Sequence, residues 1–188
     1  MYLLVAGYYT EIISYLVGPS GSVTLYNNNP WDNFVGDQVK QRLIDNRLPN
    51  VEALTVEPAE LSEVTEQYDS AIFILGMHDL YYEDKANGWP LIDVGSFLAN
   101  IHRLVAPGGT LGVIDHNAAP GSDPAIVGQA LHRIDPARII KVLESVGFKL
   151  EDQSDVLRNP NDDLTGLVFN PEFRWQSDRS VLRFRRES

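Results

Sequence analysis

Three short segments hold the residues able to do acid–base chemistry. The first, Gly76-Met77-His78-Asp79-Leu80-Tyr81-Tyr82, gathers an imidazole, a carboxylate and phenolic hydroxyls within a few positions. Here His78 is the candidate base, Asp79 the acid that orients it and Tyr81 the hydroxyl. The second, Asp115-His116-Asn117, is a polar triplet that abruptly ends an apolar run. The third is His132-Arg133, a further imidazole beside a guanidinium suited to clamping an anionic group on an acceptor. Each also has an ordinary reading: a cap on strand ends for His78, satisfied histidines at 116 and 132, and an ion pair with a nearby Asp for Arg133. Taken together they describe one polar pocket. No His-x-x-x-His spacing occurs and the chain has no cysteine, so no metal is expected. There is no P-loop and no Gly-x-Ser-x-Gly nucleophile turn.

The elements that must position these residues are legible in the hydropathy pattern. Ser70 to Leu75 is a continuous apolar run, the mark of a central strand covered on both faces, so the His78 segment follows a rigid support. Phe97, Leu98, Ile101, Leu104 and Val105 have the spacing of one buried helix face. Pro107-Gly108-Gly109 then reads as a turn, and Leu111, Val113 and Ile114 as a compact strand that stops at Asp115. A helix feeding an apolar strand is half of a βαβ unit. Further strands are expected at Met1–Ala6, Ser22–Tyr26, Val51–Val56, Phe148–Val156 and Arg179–Arg185. Further helices are expected at Tyr8–Val17, with Ile12, Ile13, Leu16 and Val17 inward, and from Asp32 or Asn33 to Arg47, with Val35, Val39 and Leu43 on one face. A short acidic helix is expected from Pro58 to Gln67. The last helix is capped by Asp135, with Pro136 at its first position and Ile139, Ile140, Leu143 and Val146 buried. Asn117 to Ile134 reads as a long loop. The final two strands have no helix between them and should pair antiparallel. The expected fold is therefore α/β: a seven-stranded, Rossmann-like, mainly parallel sheet with a C-terminal antiparallel strand and helices on both faces.

The pattern from Arg103 to Asp115 resembles the helix-to-strand hairpin of class I S-adenosylmethionine-dependent methyltransferases. The loops Gly7-Tyr8-Tyr9-Thr10-Glu11, His78-Asp79-Leu80-Tyr81, Asp115-His116, His132-Arg133-Ile134-Asp135 and Leu157-Arg158-Asn159-Pro160 are similar to those of a bacterial group of predicted methyltransferases of unknown substrate. The resemblance implies methyl transfer from S-adenosylmethionine to a small-molecule acceptor. It places Gly7 and Tyr8 at the cofactor's glycine turn, Asn27 and Asn28 where the family keeps a ribose-binding acid, and Glu57 beside the adenine. Gly76 and Met77 join the cofactor set, with His78 and Asp79 beside the transferred methyl, and His78 or His116 would take a proton from the acceptor. Asn27 and Asn28 read equally well as turn residues, and Glu57 as a solvated acid near a helix start. Only Gly7 remains of the family's glycine cluster and no acid precedes it, which reads as a truncated or degenerate motif. The family's covering helices ahead of the first strand are also expected to be missing. A second reading follows: a degenerate methyltransferase-like domain without cofactor binding, serving as an oligomeric scaffold or binding module. A nicotinamide enzyme is disfavoured, since Gly-x-Gly-x-x-Gly is absent and the sheet should finish antiparallel.

Composition bounds these readings. The chain has 188 residues, enough for one domain spanning all of it. Its net charge of -11 repels phosphate backbones and argues against nucleic-acid or anionic-membrane partners. Arg179, Arg183, Arg185 and Arg186 make the C-terminus locally basic, read here as a solvated strand edge. No basic segment precedes the first apolar run and no run approaches a membrane span, so a cytoplasmic protein is expected. An uncovered apolar strand at Met1 suggests a surface for a homodimer.

Overall fold

The computed structural model describes residues 2–3 and 7–187. The first strand expected at Met1–Ala6 is described only at Tyr2–Leu3; the rest of it, and the dimer surface expected there, lie outside the described residues. The chain divides into two compact units, 1–64 and 65–188.

In the first unit, β1 (Tyr2–Leu3), β2 (Val23–Asn27) and β3 (Val51–Thr55) pair in parallel in the order β3-β2-β1. Helix α1 (Tyr8–Val17) follows Gly7, whose φ of 78° suits a residue without Cβ. Its bounds match the expectation, but its facing does not. Leu16 is 78% exposed and Ile12 40%, while Thr10 and Ser14 are buried. Polar contacts set this rotation: Ser14 Oγ donates to Asn50 Oδ1 at 2.6 Å, and Asn50 Nδ2 donates to the carbonyls of Ser14 and Gly18 at 3.0 Å. Helix α2 (Asn29–Leu43) starts earlier than expected, capped by Asn28, with Pro30 in its first turn. It packs Val35 and Val39 on Leu25, with Trp31 and Leu43 alongside. Between Pro58 and Gln67 the acidic segment forms one 3-10 turn, Glu60–Glu63, rather than an α-helix.

In the second unit, β4 (Tyr68–Ile74), β5 (Val105–His116), β7 (Arg179–Arg186) and β6 (Phe148–Ser154) form a mixed sheet in that order. The pair β4–β5 is parallel; β7 runs antiparallel to both β5 and β6, as two strands without a crossover helix require. Strand β5 begins at Val105, earlier than expected, and its register with β4 slips across the Pro107-Gly108-Gly109 segment, so that Tyr68 faces Val105 and Ser70 faces Thr110. Strand β7 lies inside the sheet, which corrects the edge reading of its arginines: Arg183 and Arg185 pair with Glu151 of β6. Helix α3 (Val94–Leu104) buries Phe97, Leu98, Ile101 and Leu104, with Phe97 edge-on to Phe73 of β4. The expected loop at 117–134 contains α4 (Pro124–Leu131), followed by α5 (Pro136–Ser145) capped by Asp135 as read from the sequence. Among the described residues no helix is long and apolar enough to cross a membrane.

Candidate functional site

The site is built where β4 and β5 end together. Ile74 pairs with Ile114, so both strands stop at one level. Beyond β4, the Leu75 N–H donates to the Ile114 carbonyl at 2.7 Å, and Leu75 takes a φ of 53°, a left-handed conformation costly for a side chain of this size. The chain then turns sharply through buried Gly76 and Met77 into one 3-10 turn, His78–Tyr81. Helix α4 closes over this turn because Gly128 has no side chain: a Cβ there would lie 2.9 Å from the His78 carbonyl oxygen.

Asp115, at the end of β5 and fully buried, organises the centre. Its Oδ1 accepts from His78 Nδ1 at 2.6 Å and from the His116 N–H at 2.7 Å; its Oδ2 accepts from the His78 N–H at 3.1 Å. On its other side, His78 Nε2 lies 3.2 Å from Asp79 Oδ1, and His132 Nδ1 lies 3.4 Å from the same oxygen. His132 sits at the C-cap of α4 with φ 52°, a conformation histidine tolerates better than most residues. Its ring stacks near Tyr82 at 5.3 Å and Phe169 at 4.8 Å. His116 Nδ1 lies 2.6 Å from Ser177 Oγ.

These contacts set the protonation states. Burial alone would lower the His78 pKa, but the Asp115 and Asp79 carboxylates outweigh it and hold the ring charged, up to about 10. Burial would raise Asp79; the charge of His78 and the bond from His132 pull it down to about 2. Burial dominates at His116, with help from the charges of His78, Arg179 and Arg133, against the opposing pull of Asp115, and brings it down to about 4. The cluster is thus a charged His78 held between the Asp115 and Asp79 carboxylates, with His132 on the far side of Asp79 and a neutral His116 nearby. His78 is therefore not the free base expected from the sequence, since both its ring nitrogens face carboxylates.

Two other expectations change. Arg133 does not reach out as a clamp: it is fully buried, holds Asp162 through two bonds of 2.8 and 3.0 Å, and donates to the carbonyls of Gly166 and Asn117. It ties the 157–178 loop to the end of β5. Tyr81 leaves the imidazoles, its hydroxyl accepting from Arg138 Nε at 3.1 Å; Tyr82 takes the place beside His132. Tyr82, Phe169 and Ser177 join the site only through three-dimensional packing, and no local spacing marks them.

In the first unit the strand ends hold the other candidates. Asn27, ending β2, is 1% exposed, and among the described residues neither its amide nitrogen nor its oxygen has a partner. Thr10 Oγ1 in α1 is likewise buried without one. Asn28 caps α2, its Oδ1 accepting from the Trp31 N–H at 3.2 Å. Glu57 Oε1 accepts from the Asn29 N–H at 3.1 Å, at the start of the same helix. Gly7 is crowded by Arg42 and Leu25, where a Cβ would come within 3.0–3.1 Å, and Tyr8 is 59% exposed.

Comparison with solved structures bears on the fold that carries these residues. A SAM-dependent methyltransferase from Aquifex aeolicus matches with a TM-score of 0.63 at 16% identity, over 99% of this chain and 82% of that one. The N-methyltransferase NodS from Bradyrhizobium japonicum matches with 0.63 at 16%, over 100% and 84%. An S-adenosylmethionine-dependent methyltransferase from Mesorhizobium loti matches with 0.61 at 14%, over 98% and 89%. The chain therefore has the α/β, Rossmann-like fold of the SAM-dependent methyltransferases. No protein-family model and no curated protein matches its sequence.

Proposed function

We propose that the protein transfers a methyl group from S-adenosylmethionine to a small-molecule acceptor. The observation that carries this reading is Asn27. In doubly wound sheets, ligands bind beyond the C-terminal strand ends. Asn27 occupies such an end with a buried amide that lacks a partner among the described residues. A buried polar group left unpaired costs about 1–3 kcal/mol, so its retention points to a ligand that supplies the bonds. An amide both donates and accepts, which suits a pair of ribose hydroxyls. The fold shared with SAM-dependent methyltransferases supports S-adenosylmethionine as that ligand. The single-domain organisation and a seven-stranded sheet belong to the same reading.

The cofactor supplies an electrophilic methyl on a sulfonium. The chain's own work is placement, since alignment of nucleophile and methyl removes much of the barrier. Asn27 bonds the ribose, with Gly7, Tyr8, Asn28 and Glu57 lining the cofactor. The imidazole cluster of the second unit receives the acceptor: Asp115 and Asp79 fix His78, and His78 with Asp79 fixes His132. The neutral His116 ring takes the acceptor's proton where there is one to lose. The test is equilibrium dialysis of the whole chain against labelled S-adenosylmethionine, with NAD as comparison. Retention of the former alone is expected; retention of neither by folded protein would overturn the reading.

A further inference from the structure

We propose that His78, Asp79 and His132 are the three protein ligands of a divalent first-row transition-metal ion. Their donor atoms all lie within 4.8 Å of one another. The separations from Asp79 Oδ1 to His78 Nε2 and His132 Nδ1 are 3.2 and 3.4 Å. A tetrahedron with metal–ligand bonds of about 2.0–2.1 Å has edges of roughly 3.3–3.4 Å, so the two edges that meet at Asp79 already have the length a coordination shell needs.

The surroundings have the parts such a site needs. A metal-bound imidazole presents one nitrogen to the ion and donates the other N–H to a carboxylate. His78 is arranged this way once the ion displaces its Nε2 proton, with Nε2 toward the cluster and Nδ1 on Asp115 at 2.6 Å. Asp115 is itself fixed by the N–H groups of His78 and His116. Aromatic rings of Tyr82 and Phe169 pack against the His132 ring and hold it in place. Three protein ligands leave a coordination position open, the arrangement of a catalytic rather than a structural ion. Entry is on the His132 side, where the side chain is 22% exposed against 4% for His78. Two imidazoles and one carboxylate favour zinc, iron(II), cobalt or manganese over magnesium and calcium. No His-x-x-x-His spacing announces the site, because His78 and Asp79 follow β4 while His132 ends α4.

The role of the ion rests on the methyl-transfer reading; its binding does not. At the open position it would take an acceptor hydroxyl and make its proton easier to lose to the neutral His116 ring. The oxygen then bonds the methyl carbon as the carbon–sulfur bond breaks, and that electron pair stays on sulfur.

The test uses the tag-free chain after dialysis against a chelator. Zinc chloride is titrated calorimetrically, and cobalt(II) is added separately to read its visible spectrum. One equivalent of zinc and the intense bands of a low-symmetry cobalt site are expected. His132→Ala and Asp79→Asn should each weaken zinc binding more than Asp115→Asn, whose outer-carboxylate loss is worth about 10–100-fold. His102→Ala, on α3, should leave it unchanged. Circular dichroism confirms that each variant is folded. No zinc heat from folded wild-type chain, or binding indifferent to His132→Ala, overturns the proposal. The same samples are titrated with S-adenosylhomocysteine. Zinc without cofactor binding sinks only the methyl-transfer reading; cofactor without zinc binding sinks only the metal site.

Discussion

Asp115 holds His78 twice, through the ring Nδ1 at 2.6 Å and through the backbone N–H at 3.1 Å. One carboxylate at the end of β5 thus fixes both the side chain and the peptide of the loop that follows β4. The pairing of two parallel strands is converted into the placement of an imidazole.

Removing that carboxylate strands a buried charge. Asp115→Ala is expected to destabilise the protein by about 3–5 kcal/mol, the usual cost of breaking a buried ion pair. Urea unfolding measures it, with Asp163→Ala on the exposed part of the 157–178 loop as the comparison.

Gly128 offers a test in which the usual sign reverses. Gly to Ala inside a helix normally stabilises by about 1 kcal/mol. At Gly128 the new methyl would meet the His78 carbonyl at 2.9 Å. Gly128→Ala should therefore destabilise by about 1–3 kcal/mol, the cost of overpacking, and disturb the His78–Tyr81 turn. Thermal unfolding beside Gly95→Ala, where the nearest atom is 3.6 Å away, separates the two effects.

The 157–178 loop should let go in acid. Burial pushes the Asp162 carboxyl up, but bonds from Arg133 and from the N–H groups of Asp178 and Leu164 hold it below the ordinary range. Asp178 is likewise held low, burial being outweighed by Arg158, Asn117 and the Asn159 N–H. A carboxyl depressed on folding stabilises fully above its unfolded value of about 3.9, and this is lost as pH falls through the lower folded value. Urea midpoints should drop below about pH 4, and Asp162→Asn should shrink that drop while lowering the neutral-pH midpoint. An unchanged acid limb would mean that other groups control it.

The sequence spoke clearly about elements and less about faces. Helix α1 has its expected bounds, yet apolar spacing misjudged its orientation because Ser14 and Asn50 dock it by hydrogen bonds. Helix α4 was readable in Asp123-Pro124, the same cap and first-position signal that marked Asp135-Pro136, but its short turn-rich surroundings masked it. At the site, His78, Asp79, His116 and His132 were legible because chemistry-bearing residues cluster beyond strand ends. For Arg133 the ordinary reading, an ion pair with an Asp, is the one the structure shows, and only the fold decides that the partner is Asp162. Tyr82 and Tyr81 are neighbours in sequence, and the 3-10 turn decides which one meets His132.

Asn27 should be retained at the expense of stability. Replacing an unpaired buried amide with an apolar side chain of similar shape is neutral or stabilising. Asn27→Leu is therefore expected to raise the unfolding midpoint of the ligand-free protein while removing cofactor binding. A fall in stability would mean that the amide has structural work among its neighbours.

The most direct measurement is calorimetric titration of S-adenosylhomocysteine into the wild-type chain and Asn27→Leu side by side. The account predicts one-to-one binding with a Kd of roughly micromolar order for the wild type, about -8 kcal/mol, and none for the variant. No heat from folded wild-type protein, or equal binding by both, would contradict it.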